Sequence, residues 1–408
     1  MATIRFTNCA VLDGIHPERR EGCDVLVEDE RIVEVSPKPI KAKGATVYDV
    51  RGRTLMPGLI DAHIHAIASS ANLFRLHEQP ESLTALEAKD ILEAMLMRGF
   101  TSVRDAGGAD SGLKQAVERG LIKGPRLFIA GKALSQTGGH ADGRPVTFNL
   151  DTCACCQGGA TLGRIADGIS EVRRAARDEL RKGASHIKIM GSGGVMSPND
   201  PLERAQYSES EIRAIVEECT RHGTYVCAHC HPSVAIRRCV EFGVRCIEHG
   251  TLIDEQTAAF VAQQGAYVVP TMAVIFALLE DGEAKGVPPV SMQKLLKIQE
   301  GALSGLQIMK RAGVKMGFGT DLLGEQHTRQ GTEFTLRRQV LTPFDILHSA
   351  TAVNAEILQM QGRLGVVKAG AYADLLVVNG NPLQDIGLLA ANGKHLTHIM
   401  VNGQFVKR

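Results

Sequence analysis

Met56-Pro57-Gly58-Leu59-Ile60-Asp61-Ala62-His63-Ile64-His65 is the stretch on which the fold turns. The run 58–67 reads as a β-strand. Side chains two apart on a strand share a face, so His63 and His65 point to the same side. A lone interior histidine is more often a satisfied core residue. Two imidazoles on one face at a strand end serve packing poorly, and the pair reads as metal-binding.

Working outward, seven further runs read as strands: 101–105, 126–130, 186–190, 224–228, 245–248, 266–271 and 314–319. Helical patterns fall between most of them. Thr84 and Glu87 form a capping-box pattern, with Gly99 as the stop. Ile165, Ile169, Val172 and Leu180 line one helical face before Gly183. Ser208 and Glu211 cap another helix, and Thr342-Pro343 opens a last one. Eight strand–helix units over about 300 residues predict an α/β fold, a (β/α)8 TIM barrel, with a doubly wound sheet as the alternative.

The chain ends read differently. Residues 4–12, 24–28 and 31–35 alternate apolar and polar residues, with turns at Asp13-Gly14 and Asp29-Glu30. Ala373–Val378 is a buried strand, and Asn402-Gly403 marks a hairpin. Neither end can bury a core alone. The economical division is a small β-sandwich domain from residues 1–58 plus 362–408, attached to a catalytic barrel at 59–361.

Composition narrows the function. The 408 residues carry 46 Lys+Arg against 45 Asp+Glu, a net charge of +1, which disfavours a nucleic-acid or membrane partner. Trp is absent and aromatics are 4%, which disfavours stacking platforms. Hydrophobic residues at 44% suffice for a large core. No run of 18 apolar residues and no secretory-type N-terminus occur, so a cytoplasmic protein with reduced thiols is expected. Cys153, Cys155 and Cys156 form the one cluster open to plain-thiol, metal or redox, or disulfide readings.

A barrel presents its chemistry at the C-terminal ends of its strands. Lys188 lies between Ile187 and Ile189. Facing inward, it would be a desolvated amine able to add carbon dioxide, or a core lysine paired with a carboxylate. His229, His249 and Asp321 end the fifth, sixth and eighth strands. Each alone is weak; together with His63, His65 and Lys188 they form a set converging on one opening.

These residues resemble the amidohydrolase superfamily. The opening motif 56–65, the ordered positions Lys188, His229, His249 and Asp321, and the return Gly370-Ala371-Tyr372-Ala373-Asp374-Leu375 all match its pattern. Val103-Arg104-Asp105-Ala106-Gly107, and the stretch from Gly193-Gly194 to Gln206-Tyr207-Ser208, look like the imidazolonepropionase-related branch. That branch includes metal-dependent Xaa-Pro dipeptidases, or prolidases. The resemblance implies a barrel with a β-sandwich, and two divalent ions, zinc suiting the imidazoles. His63, His65 and Asp321 would hold the more buried ion, His229 and His249 the other, and carboxylated Lys188 would bridge them. Metal binding lowers the pKa of water from about 15.7 to about 7. Asp321 would take a proton from the attacking hydroxide and return it to the leaving amine. His140, in a glycine-rich loop after the third strand, would polarise the scissile carbonyl. His231, Arg329, His327 and Tyr207 are candidates for holding the substrate's carboxylate. A small dipeptide or N-acyl amino acid substrate and a homo-oligomer follow from the same resemblance. The alternative is a cyclic-amide hydrolase or deaminase, whose relatives often use one metal and lack the bridging lysine. A non-catalytic scaffold is disfavoured because all six ligand positions are filled.

Overall fold

The computed structural model describes residues 3–73, 75–144, 146–147 and 160–408. The cluster Cys153, Cys155 and Cys156 lies outside them. Among the described residues three sheets form. The first joins both chain ends. Its strands run in the order Gln404–Lys407, Leu396–Val401, Leu375–Val378, Thr54–Pro57, Thr3–Leu12, Arg19–Glu28 and Arg31–Ser36, with Thr46–Asp49 also pairing with Thr3–Leu12. Phe6, Val25, Ile32, Leu55, Val377 and Met400 pack together in a core that draws on both ends. Asn402 and Gly403 both adopt positive φ, at 49° and 70°, as a tight two-residue hairpin requires.

The middle of the chain makes two parallel sheets. One holds Leu59–Ile64, Phe100–Asp105 and Arg126–Ile129. The other runs Gly163–Ile165, Ala133–Ser135, Ile187–Met190, Val226–Pro232, Cys246–Leu252, Tyr267–Val269 and Lys315–Met316. Every run expected to be a strand overlaps one, with Val226–Pro232 and Cys246–Leu252 each running four residues past the expected end. Leu59–Ile64 and Phe100–Asp105 are buried along their whole length, as in sheets covered on both faces. Backbone bonds join the first of these sheets to segments flanking strands of the second, among them the following. Ala62 N–H donates to Phe318 O at 2.8 Å, and Ser185 N–H donates to Ile129 O at 2.7 Å. The pair Ala133–Ser135 and Gly163–Ile165 was not anticipated. Its three-residue strands are too short to show a period.

Helix ends followed local chemistry in part. The capping boxes at Ser208 with Glu211, and at Thr342 with Asp345 before helix Pro343–His348, are formed. Gly99 takes φ 94° just past helix Glu81–Met97. Thr84 is not a cap. The helix already begins after Pro80, and the Thr84 hydroxyl donates back to Pro80 O at 3.4 Å. Ile165 lies in a strand, and Ile169 is exposed in the first turn of helix Gly168–Arg181. Its buried apolar residues are Val172, Ala175, Ala176 and Leu180, beside the buried Glu179, so the apolar period starts a turn later than expected. No helix among the described residues is long and apolar enough to cross a membrane.

Three elements near the cavity are tied by one ion pair. Arg337, fully buried on helix Thr332–Arg337, donates Nε to Glu333 Oε1 at 2.7 Å. Its other nitrogens donate to Gly317 O at 2.8 Å and Pro270 O at 2.7 Å. Glu333 Oε2 accepts from Ala273 N–H at 2.6 Å. Removing one partner strands a buried charge. Arg337→Met is therefore expected to lower the unfolding free energy by about 3–5 kcal/mol in urea titrations. A loss below about 1 kcal/mol, the worth of an exposed pair, would refute this assignment.

Candidate active site

The C-terminal ends of the central strands open on a cavity of about 900 Å³. His63, His65, Lys188, His229, His249 and Asp321 all line it. Its outer walls are apolar. Val274, Ile275 and Leu278 come from helix Met272–Asp281, Leu295 and Ile298 from helix Pro289–Ala312, and Val195 from the loop after Ile187–Met190.

Asp321 lies under two imidazoles. Its Oδ1 is 3.4 Å from His63 Nε2 and 3.2 Å from His65 Nε2. Burial pushes the Asp321 carboxyl up, but the two histidines outweigh it and hold the group well below the usual range, as a carboxylate. Asp321 and His249 both sit in the left-handed region, at φ 56° and 73°. Side chains other than glycine rarely adopt it, so the surroundings must hold them there. Asp321 N–H donates to His63 O at 2.8 Å. His249 Nδ1 pairs with Thr271 Oγ1 at 2.7 Å.

His63 and His65 are each anchored on Nδ1. His63 Nδ1 donates to Glu248 Oε2 at 2.6 Å, and His65 Nδ1 donates to Gly107 O at 2.8 Å. Such anchors set the tautomer and turn Nε2 toward a ligand. Burial holds His229 and His249 far below the ordinary histidine range, and so neutral. Neutral imidazoles and a carboxylate are the donor set a divalent cation requires. His63, His249 and Asp321 each offer a ligand atom within 4.8 Å of the others, a candidate metal centre. Lys188 is buried beside them. His229 stands further out, its Nε2 donating to Gly193 O at 3.2 Å and its ring 4.5 Å from that of His249.

The second group of candidates divides. His231 lines the cavity, its ring stacked 5.0 Å from His249 and its Nδ1 3.1 Å from Thr251 Oγ1. Burial lowers it to about 4. His140 also lines the cavity, 4.2 Å from the His229 ring, and burial lowers it to about 3. The other three stand apart. Arg329 donates to Glu280 at 2.6 Å and Asp281 at 3.3 Å on a neighbouring helix. His327 Nε2 donates to Ala68 O at 3.1 Å. Tyr207 is buried with its hydroxyl on Ala166 O at 3.1 Å. None of these three lines the cavity; Arg329 and Tyr207 are spent on local partners, and His327 is bonded through Nε2 alone. Arg144 does line it, gripping both carboxylate oxygens of Asp142 at 2.8 and 2.7 Å.

Sequence reasoning missed the buried acids beneath the site. Glu248 is fully buried between His63 and Arg104, with Arg104 Nη2 at 2.6 Å. Asp61 accepts from Thr320 Oγ1 at 2.6 Å and Gln330 Nε2 at 2.9 Å. Asp105 accepts from the backbone of Ala66 at 2.7 Å and Gly107 at 2.9 Å. The available signal was a carboxylate inside an otherwise apolar strand, which burial tolerates only with partners.

Residues 54–406 match the amidohydrolase family. Ochratoxinase of Aspergillus niger is 34% identical over 383 residues, covering 90% of this chain and 79% of its own. A crystal structure of an amidohydrolase superposes with a TM-score of 0.98 at 52% identity, covering 100% of this chain and 99% of its own. That of a prolidase complexed with N-methylphosphonate-L-proline does so with a TM-score of 0.98 at 50% identity, covering all of both chains. The chain belongs to the amidohydrolase family and is, like these relatives, a hydrolase.

Proposed function

We propose that this protein is a binuclear metal-dependent hydrolase of the amide bond in dipeptides or N-acyl amino acids, Xaa-Pro dipeptides foremost. The observation that carries the reading is the cavity itself. Histidines, Asp321 and Lys188 make its floor, and apolar walls rise above them. The likeness to a prolidase and to ochratoxinase supports it. The two parallel sheets are read as one (β/α)8 barrel spanning 59–361, supported by the bonds from Ala62 to Phe318 and from Ser185 to Ile129. Residues 1–58 and 362–408 are read as the attached β-sandwich domain.

His63, His65 and Asp321 would hold one ion, His229 and His249 the other, and Lys188, carboxylated by carbon dioxide, would bridge them. Divalent ions bound there supply a water nucleophile at neutral pH and draw electron density from the carbonyl. Asp321, kept as a carboxylate, accepts the proton of the attacking water on Oδ and delivers it to the amide nitrogen as the C–N bond breaks. Water adds to the acyl carbon, and the products are an acid and an amine. His231 and Arg144 are the cavity's candidates for the substrate carboxylate. The apolar walls favour an acyl group that is bulky and uncharged.

Turnover of leucyl-proline and of N-acyl amino acids is expected to vanish on chelation and return with zinc. Asp321→Asn should lower kcat by roughly 10²–10⁴-fold. Chelator-treated enzyme that keeps its rate, or a zinc-loaded enzyme that cleaves no member of a dipeptide and N-acyl amino acid library, would sink the reading. Thr271→Val keeps the shape of the side chain but frees His249 Nδ1. Zinc affinity in competition titrations should fall roughly 10–100-fold, and an unchanged affinity counts against His249 as a ligand.

A further inference from the structure

The loop after strand Ile187–Met190 forms one wall of the cavity, and its residues 195–200 all line it. At its base the loop is tied by backbone bonds. Gly193 N–H donates to Arg204 O at 3.0 Å, and Gln206 N–H donates to Gly191 O at 2.9 Å. Further out, three carbonyls turn to one side chain. Lys294, on helix Pro289–Ala312, donates to Gly194 O, Ser197 O and Asp200 O at 3.1, 2.7 and 2.5 Å.

An ammonium has three N–H groups, and here each is spent on the same turn. The Lys294 side chain is 12% exposed, so the three carbonyls replace most of its water. The Asp200 carboxyl is not the partner. Its Oδ1 stands 3.8 Å from Nζ, outside hydrogen-bond range, and burial raises that group to about 6. The clasp therefore does not depend on the charge of Asp200.

The clasped turn bears on the cavity in two ways. Val195 and Met196, between the first two clasped carbonyls, face into it. Gly194 backs the His140 ring so closely that any Cβ would overlap the imidazole, and Ser197 Oγ lies 2.6 Å from His140 Nδ1. We propose that Lys294 is a positioning residue, its ammonium the hub about which residues 194–200 are wound, and that it thereby sets the apolar wall and the seat of His140. Lys294 itself does not line the cavity and touches no reacting atom. A drift of about 1 Å in groups around a reacting centre costs on the order of 10²-fold in rate.

Hydrogen exchange read by mass spectrometry on the zinc-loaded enzyme tests the hub, and kinetics on leucyl-proline tests its consequence. Lys294→Met keeps an apolar stem and removes the N–H groups. Peptides covering 191–207 should lose protection while those of helix Pro289–Ala312 keep theirs, and kcat/KM should fall roughly 10–100-fold. Lys297, one turn along the helix, pairs with Glu203 at the surface, and Lys297→Met should leave both readings at wild-type values. In Lys294→Ala, added propylammonium should restore protection and rate, and tetramethylammonium, which has no N–H, should not. Wild-type protection and kcat/KM in Lys294→Met overturn the proposal. So does a Lys294→Ala deficit that both cations relieve, or that neither does. The kinetic arm rests on the amide-hydrolase reading above; the exchange arm does not. Lost protection in Lys294→Met, in a preparation that cleaves no amide, supports the hub while removing that reading.

Discussion

Glu248 is the group on which the site depends. It sits fully buried and accepts from Arg104 on one oxygen and His63 on the other, each at 2.6 Å. An isolated carboxylate there would be very costly, and it is tolerable only because both oxygens are met by donors. Burial raises the group, while Arg104 and His63 hold it well below the ordinary range. Its bond to His63 settles which imidazole nitrogen carries hydrogen. Nε2 is left to face Asp321. The same guanidinium donates to Ala62 O, so the strand bearing His63 and the strand bearing Glu248 are locked in register through one arginine.

Around this anchor the structure holds strained backbone rather than relaxing it. His249 and Asp321 both adopt positive φ, and each is tied by a bond that would be lost on relaxation. The strain aims two chemistry-bearing side chains at one point, one from strand Cys246–Leu252 and one from the segment that follows Lys315–Met316. The polar floor then meets apolar walls donated by two later helices.

The legible features were those that depend on short-range pattern. Parallel strands are buried on both faces and show as apolar runs, and a histidine or lysine breaking such a run stands out. Lys188 was found this way, and His63, His65, His229, His249 and Asp321 by their place at strand ends; the cavity gathers all six. Ser208 and Thr342 capped as expected because capping is local chemistry. Thr84 did not, because Pro80 opened the helix first. Arg329, His327 and Tyr207 do not line the cavity; outside the strands no period of two orients a side chain. Arg329 met Glu280 and Asp281, acids distant in sequence that no spacing foretells.

By itself, the sequence determined the positions of the eight main central strands and the residue types at their ends, since both follow from pattern within a few residues. Tertiary structure alone decided which nitrogen of each imidazole is free, which loop cations reach the cavity, and that Glu248 and Arg104 support His63. Those facts rest on contacts between residues separated by scores of positions, where direction and distance, rather than spacing along the chain, select the partner.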